Sequence, residues 1–394
     1  MAEFRTDPFN HSHKSREKRA FKRLLKRFFL LFFAAGIIIS IPCFIYYSLK
    51  TTKAGSNKIV HHVVKKNPSP EKATATQEVD INNDPAIDEY LKSLNFNGSA
   101  LVVKDDKVVM NKGYGYADFE KKLPNNSETV YYIGSITKVF ISTSIMQLQE
   151  QGKLNITDSL SKYIPDFPYG NQIKLYNLLT HTSGIPEHSE PNEKISHADL
   201  IKKIEQGHLI SQPGTKWNYS DSNYSILAYI VEKVTDEPLD MYVKEHIFNI
   251  ARMKHTGFGE AFYKEQFASK GYKQKENEMI SPSLPDMSQL FGCGDIYTTA
   301  YDLYLFDKAL YTEKLLSKDS LKQFFTPFKH NYALGLYRDP GSYSDHGVLP
   351  GWNTLNSFSK NGNEFIVLLS NVQNGVKSLG AVNNQIYVML RNNH

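Results

Sequence analysis

The feature that most constrains this chain is an apolar run without a charged residue at residues 28–49. At the rise of an α-helix this run extends about 33 Å, enough to cross the hydrocarbon core of a bilayer. Residues 1–27 carry nine Lys/Arg against three Asp/Glu, and a basic flank favours the cytoplasmic side. The sequence therefore predicts a basic cytoplasmic tail (1–27) and a single-pass transmembrane anchor (28–49), with the remainder extracytoplasmic.

A cleaved signal peptide is the alternative interpretation of this run. Signal peptides usually have about 7–15 apolar residues followed by small residues at the cleavage site. Here the run is longer and ends in Ile45, Tyr46 and Tyr47, which favours an uncleaved anchor. Cys43 follows Pro42, which does not suit lipoprotein cleavage, so we interpret Cys43 as a small residue buried in the membrane.

Beyond the tail the chain is nearly neutral. The formal net charge is +5, and the tail alone contributes nine minus three, or +6, so the rest sums to −1. This distribution disfavours a nucleic-acid partner, and the two cysteines, Cys43 and Cys293, exclude a disulfide scaffold. Residues 50–83 are rich in Lys, Pro, Ser and Thr and predict a flexible linker. Residues 84–394 are predicted to form one folded domain.

Strand patterns lie at both ends of this domain, and helical patterns lie between them. Asp84-Pro85 predicts a capped first helix, and Asp105-Asp106 predicts the turn of a β-hairpin. Further strands are predicted at 331–337, 353–360 and 363–371, and a final helix near 376–391. This order indicates an α+β fold in which an antiparallel sheet is completed by both termini beside a helical region.

The first chemical signal is Ser135 followed three residues later by Lys138. On a helix the two side chains share a face, so the lysine amine can reach the hydroxyl. A buried lysine, whose pKa burial lowers, could either take the serine proton or stabilise the serine alkoxide. The spacing alone is weak, since it recurs at Ser159 and Ser357. Ser135 differs because Gly134 precedes it and an apolar helix follows.

Two further segments carry candidate residues. Tyr219 lies in a Tyr-Ser-Asp sequence before an apolar helix, where it either acts as a general base or anchors a loop. His346, in the segment 344–352 before a predicted strand, either contacts substrate or is structural. A backbone N–H of an edge strand here would face the site. No metal site is expected, because the sequence has no His-Glu-x-x-His motif and no cysteine pair.

These three segments, with LLTHTSGIP at 178–186 and GCGDIYTTAYDLYLF at 292–306, resemble the serine β-lactamase and penicillin-binding-protein superfamily. Class C β-lactamases and their esterase and carboxypeptidase relatives are the most similar branch, over roughly residues 86–390. The resemblance implies a β-lactamase/transpeptidase-like fold. It also implies Ser135 as acylated nucleophile, Lys138 as its proton partner and Tyr219 as general base. His181 would be a supporting residue.

The third motif of that family is usually Lys-Thr-Gly or His-x-Gly. Here it is either Asp345-His346-Gly347 or His346-Gly347-Val348. With the backbone N–H of Ser135, the second oxyanion donor would be that of Val348 or Leu349. We therefore take Asp345, His346, Gly347 and Val348 as candidate substrate-binding residues.

A second departure is Asp221, where the family usually has Asn in its Tyr-x-Asn motif. No lysine of the third motif is available to hold a substrate carboxylate, and Asp221 or Asp345 would repel one. Both acids would attract the ammonium of a D-alanyl ester. The Tyr-x-Asp form also resembles the teichoic-acid D-alanyl esterases of Gram-positive envelopes, so Asp221 joins the candidate substrate-binding residues.

The expected function is that of a membrane-anchored, extracytoplasmic serine hydrolase without a cofactor, acting on D-alanyl groups of cell-envelope polymers. One alternative is a D-Ala-D-Ala carboxypeptidase, a penicillin-binding protein or a weak class C-type β-lactamase with the same residues. Another is a catalytically inactive binding module, which the intact Ser135, Lys138 and Tyr219 disfavour.

Overall fold

The computed structural model describes residues 83–276 and 278–392. The predicted tail and anchor, and all of the predicted linker except residue 83, lie outside these ranges, so those predictions stay untested. Within the described ranges, none of the helices has the length and apolar character needed to span a bilayer.

A helix begins the domain and another ends it, with strands and shorter helices between them. The α-helices are α1 Pro85–Ser93, α2 Thr137–Glu150, α3 Leu175–Leu179, α4 His197–Glu205, α5 Asp221–Thr235, α6 Leu239–Val243, α7 Asn249–Ala251, α8 Ala300–Tyr311, α9 Lys318–Phe324 and α10 Leu379–Asn392. The strands are β1 Gly98–Lys104, β2 Lys107–Tyr114, β3 Tyr116–Asp118, β4 Leu123–Pro124, β5 Tyr131–Tyr132, β6 Gly257–Phe258, β7 Tyr272–Lys275, β8 Glu278–Ile280, β9 Ile296–Thr298, β10 Tyr337–Arg338, β11 Ser342–Leu349, β12 Trp352–Ser359, β13 Glu364–Ser370 and β14 Val372–Gln373.

The largest sheet is antiparallel, six-stranded and joins the two ends of the domain, as the sequence predicts. Its order is β10-β11-β12-β13-β1-β2, so the first long strand lies between its hairpin partner and the last one. The hairpin turn at Asp105 and Asp106 has both residues at positive φ, the geometry of a tight two-residue turn. At the start of the domain, the Asp84 side chain accepts hydrogen bonds from the N–H groups of Ala86 and Ile87 and caps α1.

Both faces of this sheet are covered. Alternate residues of its strands, such as Val102 and Ile366, pack against the two terminal helices α1 and α10. The intervening residues, such as Leu101 and Val367, pack against the helical region. Helix α2 lies in that region and is buried on all sides from Thr137 to Leu148. The result is an α+β domain whose sheet faces a helical region containing the Ser135 segment.

One detail of the strand prediction is wrong. Of the predicted strand at 331–337 only Tyr337 is in a strand, because residues 333–336 form a buried turn closed by Ala333 and Leu336. Its apolar residues pack in the helical core, which gives an apolar pattern without a strand. The segment at 344–352 precedes strand β12, as predicted, and most of it also forms the second half of β11.

Candidate active site

Ser135 lies in a single 3-10 turn, Gly134–Ile136, that leads directly into α2. Lys138 is in the first turn of that helix and is 1% exposed. Its Nζ donates a hydrogen bond to Ser135 Oγ at 3.0 Å and another to the carbonyl of Cys293 at 2.7 Å. The predicted shared face is therefore confirmed, and a buried amine contacts a hydroxyl at a helix N-terminus.

Asp221 is the charged partner of Lys138. Its Oδ1 lies 2.7 Å from Lys138 Nζ, at the start of α5. Burial lowers the pKa of Lys138, but Asp221 and the neighbouring Tyr219 and Cys293 more than offset this effect and hold it well above its usual range. Of the two roles that the sequence allows a buried lysine, the raised pKa and the pairing with a carboxylate favour stabilisation of the alkoxide by an ammonium over acceptance of the serine proton at rest.

Tyr219 completes the cluster from the loop before α5. Lys138 Nζ lies 5.1 Å from the centre of its ring. Burial raises the pKa of Tyr219 and Asp221 adds to this, whereas Lys138 and Ser135 lower it through charge and hydrogen bonding. The raised pKa favours the protonated phenol at rest, and Tyr219 lines the same cavity as Ser135.

His181 holds the Tyr219 ring in place. The two rings stack at 4.3 Å between centroids. His181 Nδ1 accepts the backbone N–H of Ser220 at 3.2 Å, so the proton of the neutral ring is on Nε2, which lies 3.1 Å from Tyr332 Oη. Burial lowers the pKa of His181 well below its usual range. The histidine is a neutral supporting residue, in keeping with the family resemblance.

Strand β11 passes directly over the turn that carries Ser135. A Cβ on Gly347 would lie 1.7 Å from the carbonyl oxygen of Ile133, and one on Gly134 would lie 2.9 Å from the nitrogen of Val348. Both positions therefore require glycine. Gly347 is the glycine of the third motif in either alignment.

The backbone of Val348 points toward that turn. Leu349 pairs with Trp352 across a two-residue turn, and Val348 pairs with Asn353. A two-residue turn closes on a hydrogen-bonded pair, and the next pair leaves its N–H groups pointing outward. The Val348 N–H therefore points away from β12 and toward Gly134. Strand β10 pairs only with residues 343 and 344 of β11, so this N–H lies at an open sheet edge.

His346 and Asp345 point in opposite directions, as neighbours in a strand do. His346 is exposed, and its Nε2 lies 2.6 Å from Asn353 Oδ1. Asp345 is 5% exposed, and burial, with the nearby Asp307, raises its pKa well above the usual range. We correct the expectation that Asp345 presents a negative charge to substrate, because a buried acid beside another acid favours its neutral form.

Two cavities open on either side of Ser135 and Val348. The smaller, about 250 Å³, is lined by these two residues together with Tyr219, Tyr337, Asp345 and His346. The larger, about 380 Å³, is lined by the same two residues together with Glu190, Asp221, Cys293 and Leu290. The nucleophile candidate thus sits between a tyrosine-rich cavity and an acidic cavity.

The acidic residues Glu187 and Glu190 were missed by the sequence reasoning. Glu187 Oε2 accepts the backbone N–H of Asp221 at 2.7 Å. Ligand atoms of Glu190, Asp221 and Cys293 all lie within 4.8 Å of one another. The only available signal was the acidic sequence after LLTHTSGIP, and its position beside Ser135 depends on the tertiary fold.

A buried Ser-x-x-Lys pair, a tyrosine from a second segment and a glycine-bearing strand across the cleft define a serine hydrolase of the β-lactamase type. Comparison with protein families agrees, since the β-lactamase family model matches residues 84–386. The chain belongs to this family, and the expected fold class and enzyme class are confirmed.

Relatives and solved structures refine the comparison. The chain is 45% identical to the putative penicillin-binding protein PbpX of Bacillus subtilis, over 95% of this chain and 97% of that protein. It is 31% identical to the teichoic acid D-alanine hydrolase of Staphylococcus aureus, over 78% of this chain and 76% of that one. The crystal structure of FmtA from Staphylococcus aureus superposes with a TM-score of 0.71 at 28% identity, covering 77% of this chain and 86% of that chain.

Proposed function

We propose that this protein removes D-alanyl groups from cell-envelope polymers through an acyl-enzyme formed on Ser135. The observation that carries the proposal is the convergence of a hydroxyl, an ammonium and a phenol, with the hydroxyl of Ser135 lining an acidic cavity. Lys138 contacts Ser135 Oγ at 3.0 Å and Asp221 Oδ1 at 2.7 Å. The relative that is named a teichoic acid D-alanine hydrolase supports the choice of substrate.

The resting protonation state constrains the mechanism. An ammonium at Lys138 and a neutral phenol at Tyr219 leave no free base beside Ser135. The reactive form therefore has one proton fewer than the resting form, and this proton is lost from the Lys138–Tyr219 pair as a unit. In that form the ammonium stabilises a tyrosinate, which takes the proton of Ser135 as its Oγ bonds to the ester carbonyl carbon.

The remaining steps use the same groups. Tyr219 passes the proton to the departing polymer hydroxyl as the ester C–O bond breaks. It then takes a proton from the water that attacks the acyl-enzyme and returns it to Ser135 Oγ as D-alanine leaves. The N–H groups of Ser135 and Val348 hold the oxyanion in both steps, since one begins a helix and the other points to it from β11.

Anchoring in the membrane and extracytoplasmic action are part of the same proposal. They rest on the uncharged run at 28–49 and the basic tail before it. Protease treatment of intact cells should degrade the catalytic domain and spare a tag placed before residue 1. Protection of the domain under these conditions would refute this part of the proposal.

Release of D-alanine from purified lipoteichoic acid tests the enzymatic part. Wild-type protein should release it, and Ser135→Ala should not. Ser159→Ala is the matched control, because Ser159 has the same spacing to a lysine, Lys162, whose ammonium is instead paired with Asp158 near the surface. Release that persists in Ser135→Ala would refute the proposal.

A penicillin-interactive peptidase is the second candidate, favoured by the 45% identity to a putative penicillin-binding protein. It predicts rapid labelling of Ser135 by a fluorescent penicillin and a long-lived adduct. It also predicts cleavage of D-Ala-D-Ala peptides at a rate above that of D-alanyl esters. The D-alanyl esterase proposal predicts the opposite order of rates.

A further inference from the structure

The wall of the larger cavity contains a carboxyl group that the proposed mechanism does not use. Glu190 lies in the loop between α3 and α4 and is partly buried. Its Oε1 is shielded from solvent, and no group in the described part of the chain gives it a hydrogen bond. Leaving a buried carboxylate oxygen without a donor costs free energy. Because Glu190 lines the cavity, its carboxyl group is left for a donor that enters there.

The charges around Glu190 favour a cationic donor. Asp221 and Glu187 are its acidic neighbours, and with burial they raise the pKa of Glu190 to about 7. The nearest cation, Lys138, is already bound by Asp221 and by the carbonyl of Cys293, each at 2.7 Å. Lys203, the next cation, donates to the Ser189 carbonyl at 2.6 Å. The three carboxyl groups thus exceed the cations that reach them.

The cavity is placed to receive a group next to the scissile carbonyl. Ser135 lines the same cavity as Glu190. Carboxylate oxygens of Glu190 and Asp221 lie within 4.8 Å of each other, and Asp221 is linked to Ser135 through Lys138. In an α-amino ester the ammonium is attached to the carbon adjacent to the carbonyl, so it lies within a few ångströms of the serine that attacks.

A metal ion fits this cluster less well than an organic ammonium. Cys293 is its third potential ligand, but burial raises the pKa of the Cys293 thiol well above its usual range and disfavours the thiolate that binds metals. The Lys138 ammonium also lies 2.7 Å from Asp221 Oδ1 and would repel a divalent cation. An ammonium carries one positive charge and has N–H groups that can donate hydrogen bonds to the Glu190 oxygens.

We propose that Glu190 determines substrate specificity by accepting the free α-ammonium of an α-aminoacyl ester, and that the same acidic wall rejects substrates bearing a carboxylate there. The inference rests on the proposed esterase function and adds to it the residue that selects the acyl group. Asp221 is left to Lys138, so recognition of the ammonium and activation of Ser135 fall to different acids.

The test compares two small esters that differ only in that charge, a D-alanyl ester and its N-acetyl form. The pH is about 7.5, above the pKa of Glu190, about 7, and below that of an α-amino group, about 7.7–8.0. Glu190→Gln keeps the size of the side chain and removes its charge. It should lower kcat/KM for the D-alanyl ester about 10- to 100-fold, the effect of losing one hydrogen bond between charged groups. It should leave kcat/KM for the N-acetyl ester unchanged and speed acylation by benzylpenicillin.

Glu193→Gln is the matched control, since Glu193 lies three residues further along the same loop with an exposed side chain. It should behave as wild type with all three compounds. If Glu190→Gln lowers kcat/KM equally for both esters, the inference is overturned and Glu190 is a structural residue. Unchanged kcat/KM values for both esters in Glu190→Gln would also overturn it. So would stimulation of wild-type ester hydrolysis by added Zn²⁺ that is absent in Glu190→Gln.

Failure of the proposed function has a different signature. Wild-type protein would then hydrolyse neither ester, whatever the residue at position 190. If both esters are hydrolysed at similar rates by wild type and by Glu190→Gln, the esterase function stands and only the specificity inference falls.

Discussion

Two aspartates flank the cleft and differ in almost everything except residue type. Asp221, at the start of α5, is paired with the Lys138 ammonium at 2.7 Å. Asp345, on β11, is buried with Asp307 as its acidic neighbour, and Asp345 Oδ1 has no hydrogen-bond partner in the described part of the chain. The sequence suggested the same role for both, attraction of a substrate cation. The structure pairs Asp221 with the buried lysine beside Ser135, and it buries Asp345 close to a second acid.

This contrast indicates that the nearest cation, and not the acid, decides what a carboxyl group does in this cleft. Asp221 lies 2.7 Å from the Lys138 ammonium, and it raises the pKa of both Lys138 and Tyr219. Asp307 and Asp345 each have their pKa raised well above the usual range by burial. Substitutions that remove the cation or either acid should therefore have separable effects.

Removing the cation should have the largest effect. Lys138→Met keeps much of the side-chain volume but deletes the donor to Ser135 and leaves Asp221 without its partner. We expect kcat/KM for a D-alanyl ester to fall at least about 1,000-fold, as for other members of a catalytic unit. Steady-state kinetics measure this fall.

Lys162→Met is the control for that variant, because Lys162 also follows a serine by three residues and pairs with an aspartate, but is exposed. It should retain full activity. Since Lys138→Met also leaves a charge unpaired, circular dichroism should establish that it is folded. Retention of more than a tenth of the wild-type activity in folded Lys138→Met would contradict the account.

Neutralising Asp221 should change the pH dependence of the reaction. The active form lacks one proton relative to the resting form, so kcat/KM rises with pH through the apparent pKa of the Lys138–Tyr219 pair. Asp221 raises both pKa values, so Asp221→Asn should move this rise to lower pH by about 1 unit. The pH profile with the N-acetyl ester measures the shift without involving ammonium recognition. Asp345→Asn should leave the pH profile of kcat/KM unchanged. An unchanged profile in Asp221→Asn would contradict the proposed protonation states of Lys138 and Tyr219.

Replacing Asp345 by asparagine should change stability and not activity. This is the smallest of the expected effects. Its folded-state pKa is raised, so the folded protein holds this proton more tightly than the unfolded chain. The wild type should lose stability as pH rises above about 4, where the unfolded carboxyl ionises, until the folded-state pKa is passed. Asp345→Asn should flatten this loss and raise the thermal midpoint at pH 8, because an amide is neutral at every pH, whereas the buried acid must hold its proton to stay neutral. Parallel pH dependences of the two midpoints would refute this view.

Local chemistry explains what could be predicted from the sequence. The Asp84 cap, the Asp105-Asp106 turn and the shared face of Ser135 and Lys138 each depend on residues within a few positions of one another. Strand periodicity also identified the sheet closed by both termini. For Tyr219, placement beside Ser135 followed from the family resemblance, since its neighbours in space are distant in sequence.

The remaining features depend on which distant segments meet. Glu190 could not be predicted as a site residue, because only the tertiary fold places its loop at the cavity that Ser135 also lines. The pKa of Lys138 is governed by Asp221, which lies on another helix. The turn at 333–336 has an apolar pattern like that of a strand, and its burial against the helical core is a tertiary fact.

The central claim is that Ser135, activated by Lys138 and Tyr219, is the residue that receives the D-alanyl group. Rapid acid quenching of the enzyme with a D-alanyl ester, followed by peptide mass spectrometry, tests it directly. We expect one added alanyl residue on the peptide that contains Ser135 in the wild-type enzyme. In Tyr219→Phe the labelled peptide should accumulate if the substitution slows deacylation more than acylation. Turnover of the ester with the label on another residue, or with none at Ser135 in either protein, would contradict it.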